Sequence, residues 1–320
     1  MEQFIPYLQI IAGLVLLTAG GEFIVRGAVG LALLMGVSKV IVGLTVVAAG
    51  TSAPEFVVSL NAALGDSGDI AMGNVVGSNI ANILLILGAA AILKPIAASK
   101  TMILRDGGTM LLGTVLFIGL CLFGVIDRWA GGIMLLVLAA IWYFTYQHDM
   151  KNPGDARDLH EEEVDEVGEV PKGWMKPVVT TLVGIVALTF GADLLVDGGV
   201  TVARQFGVSE AVIGLTLVAF GTSLPELAAS IVAALRGHSD VALGNVVGSN
   251  LLNLLVIIGG VSLIAPIAVP DQILRSDLWI MLAVTVVLLI VGYFMRGISR
   301  VTGMVFVAAY IGYVASLVSA

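Results

Sequence analysis

Two copies of a six-residue sequence place a glutamate directly after a proline inside an apolar stretch. The copies are Gly-Thr-Ser-Ala-Pro-Glu at 50–55 and Gly-Thr-Ser-Leu-Pro-Glu at 221–226. A proline inside a helix lacks the backbone donor and clashes with the carbonyl four residues earlier, so the helix must open at each copy. The freed carbonyls and the carboxylates of Glu55 and Glu226 are hard oxygen ligands, which suit calcium and sodium. These residue types therefore predict the binding of hard metal cations.

Candidate ligands recur every three or four positions before each glutamate, which is the spacing of one helix face. The next span of each copy supplies a second set with a spacing of four, at Ser78 and Asn82 and at Ser249 and Asn253. Carbonyls, hydroxyls and amides in such a set would complete the roughly six to eight oxygens that calcium takes. A lone intramembrane glutamate can be a protonated contact between helices, but two at equivalent positions favour a ligand role. The candidates are Ala48, Thr51, Glu55, Ser78 and Asn82 around the first copy, and Ala219, Thr222, Glu226, Ser249 and Asn253 around the second.

The composition requires that these elements lie in a membrane. The chain has 320 residues, of which 58% are hydrophobic and 12% are charged, and its mean hydropathy is +1.06. A helix of roughly 20 residues crosses a hydrocarbon core of about 30 Å. Ten stretches approach or exceed this length and predict an all-α integral membrane protein: 6–31, 38–64, 70–93, 108–124, 129–147, 176–200, 209–235, 241–266, 278–294 and 302–319.

The distribution of lysine and arginine predicts the orientation, because positive residues are retained on the cytoplasmic side. With the N-terminus outside, all but Arg128, Arg204 and Arg275 of the 15 basic residues fall on the inner side. Both termini are therefore predicted to be extracytoplasmic, and the loop 148–173 to be cytoplasmic. This loop carries the acidic run 160–166, which we interpret as a solvated linker.

The chain repeats itself at an offset of 171 residues, which pairs Gly-Asn-Val-Val-Gly-Ser-Asn at 73–79 with the same residues at 244–250. The offset spans five helices, an odd number, so the second copy must enter the membrane in the opposite orientation. Inverted repeats are typical of secondary transporters, which bind their substrate near the midplane between the repeats. The predicted units are a first repeat at 1–147, the loop at 148–173 and a second repeat at 174–320.

These paired segments closely resemble the alpha repeats of the sodium/calcium exchanger family, within the calcium:cation antiporter superfamily. The resemblance covers nearly the whole chain and is to the prokaryotic type, which implies a location in the inner membrane. It implies ten transmembrane helices in two inverted five-helix repeats. Helices two, three, seven and eight are implied to be broken and to form the core.

The resemblance also implies a role for each candidate residue. Glu55 and Glu226 would be the shared calcium ligands, with Thr51 and Thr222 beside them. The backbone carbonyls of Ala48 and Ala219 and the side chains of Ser78 and Ser249 would bind sodium. Asn82 and Asn253 would line the middle of the site. The potassium-dependent branch carries an aspartate at one of the last two positions, where this chain has asparagine twice.

The function that the resemblance implies is exchange of sodium for calcium by alternating access. Two carboxylates balance one calcium, whereas three sodium ions would leave an excess positive charge, so we predict electrogenic, potassium-independent exchange. Sodium and calcium are the expected transported ions, and no cofactor is expected. Membrane lipid is the expected surrounding, with no nucleic acid and no obligate protein partner.

Other functions stay open on the sequence alone. Buried glutamates can bind protons, which would give calcium/proton exchange, and potassium-dependent sodium/calcium exchange is a further alternative. A passive channel would need an open selectivity filter and rotational symmetry, which an inverted repeat does not supply. An enzyme is not expected, because the sequence has no Gly-x-Ser-x-Gly or His-Glu-x-x-His motif and no histidine within a predicted span.

Overall fold

The computed structural model describes residues 4–65, 68–151, 173–206 and 219–319. Most of the predicted cytoplasmic loop and the first part of predicted span seven lie outside these residues. The described chain is helical except for four strands of two residues each. The prediction of an all-α protein is therefore confirmed for the described residues.

The helices are long, and short connections join most of them. A helical turn at Ala219–Gly221 precedes the eighth helix. In chain order they are α1 (Ile5–Met35), α2 (Lys39–Thr51), α3 (Ala53–Leu64), α4 (Gly68–Leu93), α5 (Lys100–Cys121), α6 (Arg128–Lys151), α7 (Met175–Gln205), α8 (Leu224–Leu235), α9 (Ser239–Ile264), α10 (Ile273–Met295) and α11 (Arg300–Ser319).

Most of these helices are long and apolar enough to cross a membrane. Among the described residues there are eight such helices, and nine if α2 and α3 are counted as one bent span. Helix α8 is a shorter apolar helix. The chain is thus a multi-pass integral membrane protein.

Helix α5 begins at Lys100, earlier than the predicted span 108–124. Ser99 starts the helix, since its Oγ accepts a hydrogen bond from the backbone N of Met102 at 3.1 Å. Arg105 and Asp106 form an ion pair at 2.7 Å within this segment. Hydropathy counts both charges against a membrane helix, so the sequence pattern starts the span too late.

Helices α4 and α9 each run through the centre of the protein as one span, so the prediction that helices three and eight are broken is wrong. Their glycines allow close packing but remove no backbone donor, which a proline would do. Each helix instead widens into a π-helical segment, at Asn82–Leu87 in α4 and at Leu252–Ile258 in α9. Segments of this kind are often found at functional sites.

Two antiparallel strand pairs join the two halves of the chain. Strand β1 (Ile96–Ala97) pairs with β4 (Gly297–Ile298), and β2 (Val125–Ile126) pairs with β3 (Ile267–Ala268). In each pair, one strand comes from the first half of the sequence and its partner from the second half. The connections after α4 and α10 therefore lie together, and so do those after α5 and α9.

Helices α1 and α7 cross in an antiparallel arrangement along glycine-rich faces. A Cβ on Gly13 would lie 2.7 Å from the carbonyl oxygen of Gly191, and a Cβ on Gly184 would lie 2.6 Å from the backbone N of Ile24. Small residues of this kind let membrane helices approach at backbone distance. The close contact between these two long helices thus depends on glycine, which has no side chain.

We predict that Gly184→Val destabilises the protein, because the added side chain collides with the backbone of α1. Overpacking of this kind costs about 1–3 kcal/mol, which a lower melting temperature in detergent would reveal. Gly119→Val in α5 is the matched control, since a Cβ there has nothing within 4 Å. Equal melting temperatures for the two variants would contradict the close contact.

Candidate cation-binding site

Each glutamate follows a break between two helices. Helices α2 and α3 meet at Ser52 with a bend of 49°, and Ser52 has φ −83° and ψ 7°. Ser223 has nearly the same conformation before α8, with φ −88° and ψ 4°. Pro54 and Pro225 lie in the first turn of the helix that follows, where the missing N–H leaves no helical bond unmade. The predicted opening at each motif is confirmed.

The breaks bring both glutamates to one buried place. Glu55 and Glu226 are each only 1% exposed. Ser52 Oγ donates a hydrogen bond to Glu226 Oε1 at 2.9 Å, and Ser223 Oγ donates one to Glu55 Oε1 at 3.3 Å. Each carboxylate is therefore held by the serine of the other motif, through a hydrogen bond that its charge strengthens.

The two serines, Ser52 and Ser223, are site residues that the sequence does not single out. Helical spacing finds the residues that share a face with each glutamate, whereas these serines contact the glutamate of the other copy. The signal that could have found them is their presence between threonine and proline in both copies.

A pair of asparagines supports the glutamate helices from α4 and α9. Asn74 Nδ2 donates to Ser59 Oγ at 2.9 Å and to the backbone carbonyl of Glu55 at 3.2 Å. Asn245 makes the equivalent two bonds in the second copy, at 3.0 and 3.4 Å. Since the contacts recur at the offset of 171 residues, the sequence repeat is also a repeat of local structure.

Among the predicted site residues, the hydroxyls of Thr222 and Ser249 are buried without a hydrogen-bond partner within the described residues. Four oxygens that can only accept a hydrogen bond are also buried there without a donor among those residues. A buried polar atom without a partner costs roughly 1–3 kcal/mol. The four atoms carry negative charge or negative partial charge, so together they favour a positively charged ligand. They are Glu55 Oε2, Glu226 Oε2, Asn82 Oδ1 and Asn253 Oδ1.

The amide of Asn82 is oriented by its neighbours. Its Nδ2 donates to Asn250 Oδ1 at 2.9 Å, and Asn250 Nδ2 in turn donates to the carbonyl of Asn79 at 3.3 Å. With its donor used in this way, Asn82 presents its oxygen as the remaining acceptor. Asn250 is thus a positioning residue that links α9 to α4.

The prediction that the carbonyl of Ala48 is freed by the proline is wrong. This carbonyl accepts hydrogen bonds from the backbone N of Ser52 at 2.9 Å and from Thr51 Oγ1 at 3.3 Å. Pro54 lacks the backbone N–H that would bond to the carbonyl of Gly50, four residues earlier. The helical bond to the carbonyl of Ala48 is therefore unaffected. Any sodium that binds Ala48 must share an oxygen that is already hydrogen-bonded.

The turn before the second motif differs from the first. The backbone N of Ser223 donates to the carbonyl of Phe220 at 3.1 Å, three residues earlier. Ala219, the predicted counterpart of Ala48, begins the turn Ala219–Gly221. The two motifs are therefore alike at the glutamates and unlike at these carbonyls.

The two predicted threonines lie beside the glutamates, and the two predicted serines are buried on α4 and α9. Thr51 is 1% exposed, and its hydroxyl also donates to Asn245 Oδ1 at 3.3 Å. The Thr222 hydroxyl lies beside the Glu55 carboxylate. Ser78 and Ser249 are buried on α4 and α9, at 6% and 0% exposure.

No basic side chain neutralises the two glutamates within the described residues. Ion pairs there involve other acidic residues, among them Glu22, Asp106 and Asp271. The same part of the chain holds no cluster of three or more His, Cys, Asp or Glu. A cation at this place would therefore take two carboxylates and otherwise neutral oxygens, a set that suits a hard ion.

Comparison with known proteins agrees with this arrangement. Residues 5–147 and 176–318 match the family model described as sodium/calcium exchanger protein. The chain is 39% identical over 313 residues to the putative antiporter CaxA of Alkalimonas amylolytica, covering 95% of this chain and 96% of the relative. It is 32% identical over 344 residues to the sodium/calcium exchanger MaX1 of Methanosarcina acetivorans, covering 98% of each chain.

A solved structure of the sodium-calcium exchanger NCX_Mj shares the fold, with a TM-score of 0.81, 30% identity and coverage of 98% of each chain. Two buried carboxylates between membrane helices, together with this fold, define the class of protein as a membrane transporter. The chain belongs to the sodium/calcium exchanger protein family.

We predict that Ser52→Ala weakens calcium binding roughly tenfold, because Glu226 loses a hydrogen bond that holds its carboxylate in place. Isothermal titration of the purified protein with calcium measures this. Ser276→Ala in α10 is the control, because the Oγ of Ser276 donates to the exposed backbone carbonyl of Gln272 at 2.9 Å. Unchanged affinity in Ser52→Ala would show that the crossed hydrogen bond does not support the site.

Proposed function

We propose that this chain exchanges sodium for calcium by alternating access. The observation that carries the proposal is the convergence of two buried carboxylates and two amide oxygens, each with an acceptor that no described donor satisfies. A cation is the ligand that such a set favours, and the family to which the chain belongs is one of exchangers. The relative MaX1 and the solved NCX_Mj are both named sodium/calcium exchangers.

We also propose ten membrane crossings in two inverted repeats, at 1–147 and 174–320, joined by the loop 148–173. The strand pairs support this count. Strands β1 and β4 lie together, so the chain between them crosses the membrane an even number of times. The described crossings between them are α5, α6, α7, α9 and α10, an odd number, and a crossing by the segment before α9 makes it even.

Strands β2 and β3 also lie together, and the described crossings between them, α6, α7 and α9, are again odd in number. A further crossing before α9 makes this number even as well. The family model also matches the chain in two parts, 5–147 and 176–318, which nearly coincide with the proposed repeats. An inverted repeat suits alternating access, because the same unit closes the site from either side of the membrane.

In this proposal Glu55 and Glu226 are the shared calcium ligands, with Asn82 and Asn253 in the middle. Two threonines lie beside the carboxylates, and the two alanine carbonyls and the two buried serines serve sodium. These are Thr51 and Thr222, Ala48 and Ala219, and Ser78 and Ser249. No resident cofactor and no protein partner take part in this scheme.

The charge of the site supports electrogenic, potassium-independent exchange. Two carboxylates balance one calcium, whereas three sodium ions would exceed them by one positive charge. Neutral amides at 82 and 253 provide no third carboxylate for a potassium ion. Coupling follows because two unneutralised carboxylates are costly to move through the occluded state, so the empty carrier rarely changes sides.

We place the protein in a prokaryotic inner membrane with both termini outside. The distribution of Lys and Arg supports this orientation. It puts β1 and β4 at the cytoplasmic side and β2 and β3 at the outer side, and it makes α8 the cytoplasmic half of its span.

The experiment that tests the function is calcium flux into vesicles that contain the purified protein. Sodium-loaded vesicles are expected to take up calcium without potassium and to generate a membrane potential. Flux driven by a proton gradient without sodium would instead indicate calcium/proton exchange. A requirement for potassium, or uptake that moves no net charge, would contradict the proposed exchange.

We predict that Glu55→Gln and Glu226→Gln each reduce sodium-driven calcium uptake to less than about one tenth, because a doubly charged cation loses half of its balancing charge. Asp271→Asn is the matched control, since that side chain is 85% exposed. Wild-type uptake by either glutamine variant would remove the basis of the proposal.

A further inference from the structure

An ion pair joins α1 to α8 at one side of the protein. Glu22 of α1 accepts hydrogen bonds from Arg26 Nε at 2.6 Å and from Arg236 Nε at 2.7 Å. Arg236 is the residue that ends α8. The side chain of Glu22 is 21% exposed and that of Arg236 is 57% exposed. The carboxylate is therefore partly enclosed between a cation of its own helix and a cation of α8.

Helices α1 and α8 are in close contact beside this pair. A Cβ on Gly21 would lie 2.8 Å from Val232 Cγ2 and 3.1 Å from the carbonyl oxygen of Ala228. Only a glycine permits this approach. The ion pair thus lies next to a tight contact that closes one side of the glutamate-bearing helix.

The equivalent contact of the other repeat is not formed. At the offset of 171 residues, α7 is the equivalent of α1, and α3 is the equivalent of α8. Among the described residues, α7 makes no contact with α3 that is comparable to the contact of α1 with α8. Val57 on α3 is 53% exposed, whereas its equivalent on α8, Ala228, lies under Gly21. The structure is therefore closed at the α8 side and open at the α3 side.

The charged residues also differ between the two sides, and the attractive set lies at the closed side. At the closed side, positions 22, 26 and 236 carry glutamate, arginine and arginine. The equivalent positions 193, 197 and 65 carry aspartate, aspartate and glycine. Two carboxylates one helical turn apart repel each other, and glycine brings no cation to them. The sequence thus encodes an attractive contact at one side only.

We propose that Glu22 and Arg236 form a latch that holds the α8 side closed and biases the protein toward the state that is open at the α3 side. The proposal rests on the proposed function in one respect, namely that α1 separates from α8 when the site opens to the cytoplasm. Neither residue contacts the transported ion, so both are positioning residues. A partly exposed ion pair shifts such an equilibrium roughly two- to fivefold.

The test follows the accessibility of two equivalent cysteines, Val57→Cys and Ala228→Cys, each in a Cys121→Ala background. Purified protein reacts with a maleimide, and the rates are compared with and without Arg236→Gln or Glu22→Gln. We expect either latch variant to speed the reaction of Ala228→Cys, which reports the minor state, roughly two- to fivefold. The reaction of Val57→Cys, which reports the favoured state, should slow by a smaller factor. Arg275→Gln is the control, because it breaks an exposed pair with Asp271 near the start of a single helix.

Gly65→Arg provides a test that adds a contact rather than removing one. It places a cation where the α3 side would meet Asp193 and Asp197, so it should favour closure of that side. The reaction of Val57→Cys should then slow and that of Ala228→Cys should speed up, as in the latch variants.

Labelling requires no transport, so the two proposals fail separately. Unchanged rates in both latch variants and in Gly65→Arg, with all variants monodisperse by size-exclusion chromatography, would overturn the latch. Rates that shift as expected in a protein without sodium-driven calcium uptake would support the latch and overturn the proposed function instead.

Discussion

Two carboxylates buried at membrane depth, with no basic side chain beside them in the described part of the chain, are the constraint on which the rest of the structure depends. An aspartate at the centre of a membrane helix costs roughly 3 kcal/mol even on scales from insertion experiments. Glu55 and Glu226 are both 1% exposed. Crossed serine hydrogen bonds satisfy one oxygen of each carboxylate, and the other oxygen has no donor among the described residues.

The duplicated architecture follows from this arrangement. Ser52 can hold Glu226 and Ser223 can hold Glu55 only because both helix breaks meet at one place. Neither repeat could satisfy its own glutamate in this way, so the site exists only where the two repeats meet. The unequal contacts of α1 with α8 and of α7 with α3 show that two similar units need not adopt the same packing at a given moment. That difference is what an alternating mechanism requires.

The sequence predicted the features that depend on local chemistry. Proline and glycine impose the breaks, apolar length gives the membrane helices, and the repeat offset pairs the glutamates. It failed for Ser52 and Ser223, because they contact the glutamate of the other repeat and no spacing rule within one helix contains that information. The error at Ala48 is local, since Pro54 removes the donor for Gly50 and leaves the helical bond of Ala48 in place. Helices α4 and α9 have π-helical segments in place of breaks, because their glycines remove no backbone donor.

The measurement that tests the shared site most directly is a structure of the sodium-free protein with strontium, which scatters anomalously and replaces calcium. We expect one anomalous peak that lies within about 2.6 Å of both Glu55 Oε2 and Glu226 Oε2, with Asn82 and Asn253 nearby. Two separate peaks that each contact one glutamate, or a peak away from both carboxylates, would contradict a single site made by the two repeats together.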